Sequence, residues 1–158
     1  MLRKTMFALW LTLCVLMAAT PGYAQQKPPY WASLSAGEAR MRTGPGRQFP
    51  ANWLYQRAGL PVKVVSVYKN WRKVEDPDGT QGWMQANLLS NDRTALVVGE
   101  ERPLREAPDG SARIIWRAEP GVVGKLTDCA RGWCKIDVRG RMGFVEAAHI
   151  WGAQEAKP

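Results

Sequence analysis

The sequence predicts an all-β protein made of two small tandem barrels, and an internal repeat is the first reason. Nine residues recur in the same order, at an offset that falls from 63 residues (105 − 42) to 61 residues (143 − 82). The pairs are Arg42 and Arg105, Pro45 and Pro108, Trp53 and Trp116, Gly59 and Gly121, Trp71 and Trp133, Lys73 and Lys135, Gly79 and Gly140, Gly82 and Gly143, and Ala86 and Ala147. Each copy holds roughly 60 residues, which is enough for one small β core but not for a large enzyme.

Short strands separated by turns are the second reason. In the first copy, the run Pro61–Tyr68 ends in a turn, Trp71–Glu75 returns as its partner, and 82–85 forms one more strand. Residues 76–79 form a turn, because proline presets φ and glycine tolerates a positive φ. The second copy repeats this order, and about five short strands per copy are typical of a small barrel.

The first 24 residues have the pattern of a signal peptide. A basic head is followed by an apolar run at 6–18 and by small residues up to Ala24, where we expect cleavage. The apolar run is too short for a stable membrane span, and a retained N-terminal anchor is the alternative. No later segment is apolar enough to cross a bilayer, so the sequence predicts an exported protein, periplasmic or extracellular, with no transmembrane segment after cleavage.

The expected organisation is a signal peptide at 1–24, a short lead-in at 25–29, a first domain at 30–90, a second domain at 91–153 and a tail at 154–158. The connection at 90–93 is too short for wide independent motion. We therefore expect the two domains to contact each other.

Cys129 and Cys134 are predicted to form a disulfide. A two-residue turn at 131–132 makes Ala130 and Trp133 the pair that closes a hairpin, so the two cysteines become the next facing pair, about 4.5 Å apart at Cα. Such a short loop gains only about 2 kcal/mol from the cross-link, so its role is to hold the register of the hairpin.

A metal site and a redox pair are the alternatives for these cysteines. A metal would need further ligands, and His149, the one histidine of the chain, is insufficient. The third cysteine, Cys14, lies within the leader. We expect no metal and no cofactor.

The chain is basic, with 22 Lys and Arg against 14 Asp and Glu. This excess favours encounters with anionic surfaces such as wall polymers. The basic residues are scattered and no run of five occurs, which argues against a nucleic-acid partner. The chain is also rich in tryptophan, with eight in all. Core packing is the first explanation for these, and a half-exposed aromatic groove is the alternative.

Both copies resemble the bacterial Src-homology-3-like (SH3-like) domain of exported and envelope proteins. The matching residues are 42–45, Gly59, 70–74, Gly79 and 82–84 in the first copy, and Arg105, Pro108, Gly121, 132–136, Gly140 and 143–145 in the second. The second copy departs from the pattern at Ala107, where the first has Gly44. The resemblance implies tandem five-stranded barrels that serve as targeting or interaction modules, often next to a wall-cutting catalytic domain.

The residues argue against an enzyme. A papain-like site needs a free cysteine beside a histidine, and no Gly-x-Ser-x-Gly stretch for serine hydrolysis occurs. Carboxylate pairs for glycoside cleavage could be drawn among Glu75, Asp76 and Asp78, but these lie at a tight turn, where a solvated loop is the expected reading.

The remaining function is non-catalytic binding. We expect a module for the cell wall, either peptidoglycan or its peptide stems, and the alternative is an envelope protein–protein adaptor or structural partner. The residues at 85–88 lack the proline and tyrosine of a groove for proline-rich peptides. The candidate ligand-binding residues are Tyr68, Trp71, Arg72 and Lys73.

Tyr68 and Trp71 should face each other across their turn and share one face of the sheet, where they can stack. The second copy has Ala130 facing Trp133. We therefore expect the first copy to be the stronger binder.

Overall fold

The computed structural model describes residues 26–154, so the predicted signal peptide at 1–24 lies outside the described residues. The first copy contains β1 (Tyr30–Leu34), β2 (Ala39–Arg42), β3 (Ala51–Tyr55), β4 (Pro61–Tyr68), β5 (Trp71–Glu75), β6 (Gln81–Gln85) and β7 (Leu89–Ser90). The second contains β8 (Thr94–Val97), β9 (Arg102–Arg105), β10 (Ile114–Ala118), β11 (Val123–Ala130), β12 (Trp133–Val138), β13 (Arg141–Glu146) and β14 (Ile150–Trp151). Short 3₁₀ turns at Ala86–Leu88 and Ala147–His149 precede the last strand of each copy.

The two copies have the same topology. The first sheet has the strand order β3-β2-β6-β5-β4-β1-β7, and the second has β10-β9-β13-β12-β11-β8-β14, which is the same order advanced by seven. Strand pairs are antiparallel in both sheets. The all-β class is confirmed. Each sheet has seven strands rather than the expected five, partly because β7 and β14 are two-residue strands that exist only through pairing with β1 and β8.

Each sheet curves around its own apolar core. Alternate residues of the strands point inward, as the period of two requires. The first core consists of Ala32, Leu34, Ala39, Met41, Leu60, Val62, Val64, Val74 and Met84. The second consists of Ala95, Val97, Leu104, Ala118, Cys134, Ile136, Val145 and Ile150.

The predicted disulfide is present in the second sheet. Cys129 and Cys134 face each other in the β11–β12 ladder, with Ala130 and Trp133 as the closing pair. The Cα atoms of the cysteines are 4.1 Å apart. The turn residues Arg131 and Gly132 both have positive φ, at 51° and 81°, as the expected two-residue turn requires.

The acidic turn after β5 differs from the expected solvated loop, because Asp76 is only 6% exposed. One oxygen of its carboxylate accepts hydrogen bonds from the backbone N–H groups of Asp78 and Thr80, at 3.0 and 2.8 Å. The other accepts one from the hydroxyl of Tyr55 at 2.7 Å. Burial and this hydrogen bond raise the pKa of Tyr55 well above its ordinary value. Asp76 therefore stabilises the turn.

The two sheets contact each other, as the short connection predicts. The rings of Trp31 and Trp151 meet edge to face, and the indole N–H of Trp31 donates a hydrogen bond to the carbonyl of Gln154. The hydroxyl of Thr94 donates one to the carbonyl of Gly59 at 2.7 Å. No helix within residues 26–154 is long and apolar enough to span a membrane.

Candidate outer-face site

The candidate site is the outer face of the first sheet, opposite its core. Because Val74 and Met84 point inward, their neighbours Lys73 and Trp83 point outward. Facing residues in the ladders share a side of the sheet, which places two rows of side chains on this face. One row is Ser66, Lys73, Trp83 and Arg42, and the other is Tyr68, Trp71 and Gln85. We call these residues, with Arg40, the outer face.

The structure brings together three of the four predicted site residues. Tyr68, Trp71 and Lys73 lie on the outer face, whereas Arg72 lies on the opposite side, in line with the buried Val74. There, Nε of Arg72 donates a hydrogen bond to the hydroxyl of Tyr30 at 3.1 Å. Its Nη1 donates to backbone carbonyls of the adjoining turn. Arg72 thus stabilises the hairpin from the side of the sheet opposite the outer face.

Tyr68 and Trp71 face each other in the ladder, as the sequence predicts. Within residues 26–154, however, the one pair of aromatic rings in contact is that of Trp31 and Trp151, so these two do not stack. Instead, the ammonium group of Lys69 lies over the ring of Tyr68, 5.5 Å from its centroid. Tyr68 is 49% exposed, so its ring remains accessible to a ligand.

A cavity of about 260 Å³ adjoins Trp71 on the side away from Tyr68. It is lined by Trp71, Gln85, Leu88, Glu38, Arg40 and Arg42. The guanidinium of Arg42 is held by the following loop, since Nη1 donates to the carbonyl of Phe49 at 2.7 Å. The cavity thus combines an aromatic surface with two cations and one carboxylate. Such a site suits a ligand that has a planar or apolar part next to an anionic group.

The two arginines of this cavity were not among the ligand-binding residues predicted from the sequence. Arg40 and Arg42 lie on β2, about 30 positions before Trp71, and only the pairing of β2 with β6 brings them alongside. The sequence did carry one signal, because Arg42 is a member of the repeat and its equivalent Arg105 makes the same kind of bond. Nη1 of Arg105 donates to the carbonyl of Ala112 at 2.6 Å.

The second sheet presents an equivalent face with different chemistry. Its first row is Asp128, Lys135, Phe144 and Arg105, and its second is Ala130, Trp133 and Glu146. Two carboxylates thus balance the two cations, whereas the outer face of the first sheet has three cations in Arg40, Arg42 and Lys73.

The cavity beside Trp133 is larger, at about 400 Å³, and lies on the side of Ala130. It is lined by Pro108, Asp128, Ala130, Arg131, Trp133 and Phe144. Alanine leaves space where the first sheet has the ring of Tyr68. The two copies therefore offer differently shaped surfaces around equivalent tryptophans.

Comparisons with known proteins agree with the repeat. Two segments, 35–91 and 98–152, match the family model described as the bacterial SH3 domain. Two solved structures also resemble the chain: NlpC2 from Trichomonas vaginalis, at 13% identity and a TM-score of 0.36, and NlpC1 from the same organism, at 12% and 0.36. They align with 80% and 82% of this chain, which spans about half of theirs, 49% and 47%. No curated protein matches the sequence.

Proposed function

Because the chain belongs to the bacterial SH3 domain family, we propose that it is a non-catalytic binding module for the bacterial cell wall, either peptidoglycan or its peptide stems. The observation that carries the proposal is the cavity beside Trp71, with Arg40 and Arg42 in its lining. Peptide stems end in carboxylates, which guanidinium groups bind through charge-assisted hydrogen bonds. A tryptophan ring supplies apolar contact area for a sugar or peptide plane.

The tandem arrangement supports binding to a polymer. A wall polymer repeats the same chemical unit, so a chain with two linked faces can engage two units at once. The second contact then benefits from the effective concentration set by the first. Contacts between the sheets, such as that of Thr94 with Gly59, limit the distances that the two faces can span.

Export is part of the proposal. The wall lies outside the cytoplasm, and the Cys129–Cys134 disulfide suits an oxidising compartment. We propose that the chain is cleaved after Ala24 and released to the periplasm or the medium. The intact mass of the exported protein should correspond to a chain that begins at Gln25. A mature species that retains Met1 would contradict this.

Co-sedimentation with purified wall sacculi tests the function. The parent protein should be retained, and Trp71→Ala should weaken retention more than the matched Trp133→Ala, because Arg40 and Arg42 line the cavity beside Trp71. Loss of an aromatic anchor costs about 1 to 3 kcal/mol in an interface. Circular dichroism shows whether both variants remain folded.

The outcomes of this experiment separate the site from the function. If the parent is not retained, wall binding is wrong. If the parent is retained and Trp133→Ala has the larger effect, the wall binds at the second sheet. If both variants are retained as well as the parent, neither tryptophan belongs to the binding site.

A protein–protein adaptor is the second candidate function. It is favoured by apolar side chains exposed on the edge strand β3, which the outer-face site does not use.

A further inference from the structure

The outer edge of β3 has no partner within residues 26–154. β3 ends the first sheet and pairs only with β2. Its five residues are exposed or half-exposed. Trp53 is 56% exposed and Leu54 46%, so the strand presents large apolar side chains to solvent. An unpaired strand edge also presents a row of backbone N–H and C=O groups that can template another strand.

The two apolar side chains lie on opposite sides of the sheet. Trp53 faces Met41 and therefore lies on the core side, beyond the margin of the core. Leu54 faces Arg40 and therefore lies on the outer side. A strand added at this edge would contact Trp53 with one set of alternating side chains and Leu54 with the other.

The equivalent edge of the second sheet is protected. β10 carries Arg117 at the position of Leu54, and this arginine forms an ion pair with Glu101 at 3.3 Å. Arg113, just before β10, forms another with Glu106 at 3.1 Å. Charged side chains on an edge strand discourage pairing with other chains. β3 itself contains no charged residue.

The repeated tryptophan, Trp53 in the first copy and Trp116 in the second, also has different surroundings in the two copies. Trp116 packs against the core of the second sheet, and its indole N–H donates a hydrogen bond to the carbonyl of Met142 at 3.3 Å. Trp53 is not among the residues packed against the core of the first sheet. The same residue type thus supports the fold in the second copy and remains available for contact in the first.

The charge around β3 indicates what kind of strand fits. Positions 39–59 contain four arginines, Arg40, Arg42, Arg47 and Arg57, and no acidic residue. A second copy of this chain would bring the same arginines to the joint edge, where like charges repel. An acidic segment would complement them.

We propose that the outer edge of β3 binds an extended, acidic segment of a partner protein by adding it to the first sheet as a further strand. Backbone hydrogen bonds along β3 hold the segment, and its apolar side chains pack against Trp53 and Leu54. Its carboxylates face the surrounding arginines.

A peptide titration followed by amide chemical shifts tests this edge. The probe is an acetylated and amidated nonapeptide that alternates valine with glutamate. Two comparison peptides alternate valine with lysine, or hold the same valines and glutamates in two separate blocks. The alternating glutamate peptide should bind at least tenfold more tightly than either, with the largest shifts at Ala51–Tyr55. If the peptide with valines and glutamates in separate blocks binds as tightly as the alternating glutamate peptide, the affinity comes from general charge attraction and the proposal is overturned.

The variant Leu54→Glu tests the role of β3 in binding the peptide. Its control is Ile114→Glu on β10, because Ile114 is also partly exposed, at 37%, and the substitution adds the same charge. Leu54→Glu should lower affinity at least tenfold, and Ile114→Glu less than twofold. Equal effects would overturn the proposal. Sedimentation equilibrium of the parent provides a second check: a dimer that Leu54→Glu abolishes would assign the edge to a second copy instead.

Discussion

The rings of Trp31 and Trp151 meet edge to face, with centroids 5.0 Å apart and planes at 88°. Trp31 lies in β1 and Trp151 in β14, so the contact joins the first strand of one copy to the last strand of the other. Trp31 is also only 8% exposed. The tandem copies are therefore held together by a specific aromatic contact as well as by the chain between them.

A double-mutant cycle should measure this contact. We expect Trp31→Leu and Trp151→Leu to be coupled by about 1 kcal/mol in the free energy of unfolding, because an edge-to-face pair contributes beyond the area it buries. Denaturant unfolding of the parent, both single variants and the double variant gives the coupling. Trp31→Leu combined with Trp116→Leu serves as the control and should be additive. Additivity in the first cycle would contradict the expectation.

Reduction of the disulfide should lower the free energy of unfolding by about 2 kcal/mol, because the cross-link closes only a short loop. The measurement is denaturant unfolding of the parent with and without reductant. The control is Cys129→Ala with Cys134→Ala, whose stability should not respond to reductant. Freely alkylated thiols in the exported protein would show that the bond does not form in the cell.

Gly82 should not tolerate a side chain. A Cβ there would lie 2.9 Å from the carbonyl oxygen of Arg42 and 2.5 Å from Cγ of Met41, where β2 and β6 meet. We expect Gly82→Ala to cost about 2 kcal/mol through overpacking. Gly110→Ala is the matched control, since a Cβ at Gly110 meets no atom within 4 Å. Thermal unfolding should leave that control unchanged within about 0.5 kcal/mol, and an equal midpoint for both variants would count against the close approach.

The hydrogen bond from Tyr55 to Asp76 should make stability depend on pH in the alkaline range. The folded pKa of Tyr55 is raised above the ordinary 10.0, so the neutral phenol is favoured in the folded state. Its stabilising contribution is fully present below the unfolded pKa and is lost as pH rises toward the folded value. Tyr55→Phe should therefore be less stable than the parent at pH 8, by about 1 kcal/mol for the lost hydrogen bond.

Above pH 10 the difference in the free energy of unfolding between parent and Tyr55→Phe should narrow, because the phenol of the unfolded parent ionises there and stabilises the unfolded state, whereas phenylalanine does not titrate. Denaturant unfolding from pH 8 to 11 measures this. Groups other than Tyr55 titrate in both proteins, so the comparison isolates the one hydroxyl. A difference that stays constant across this range would contradict the assignment.

Much of the local structure could be predicted from the sequence. The hairpin of Cys129 and Cys134 has the predicted register because the positive φ of Arg131 and Gly132 is a local property of a two-residue turn. Tyr68 and Trp71 also face each other across a two-residue turn, so their pairing could be predicted in the same way. The repeat predicted two equivalent copies. The two sheets have the same strand order because both copies of the sequence contain the same pattern of turns and alternating residues.

The remaining features depend on residues far apart in the chain, so only the tertiary structure decided them. The cavity beside Trp71 acquires its arginines through the pairing of β2 with β6. The burial of Asp76 depends on Tyr55, and Trp31 meets Trp151 across almost the whole described chain. Turn chemistry and a period of two act between neighbours in sequence, whereas strand order and side-chain packing are settled by the free energy of the whole fold.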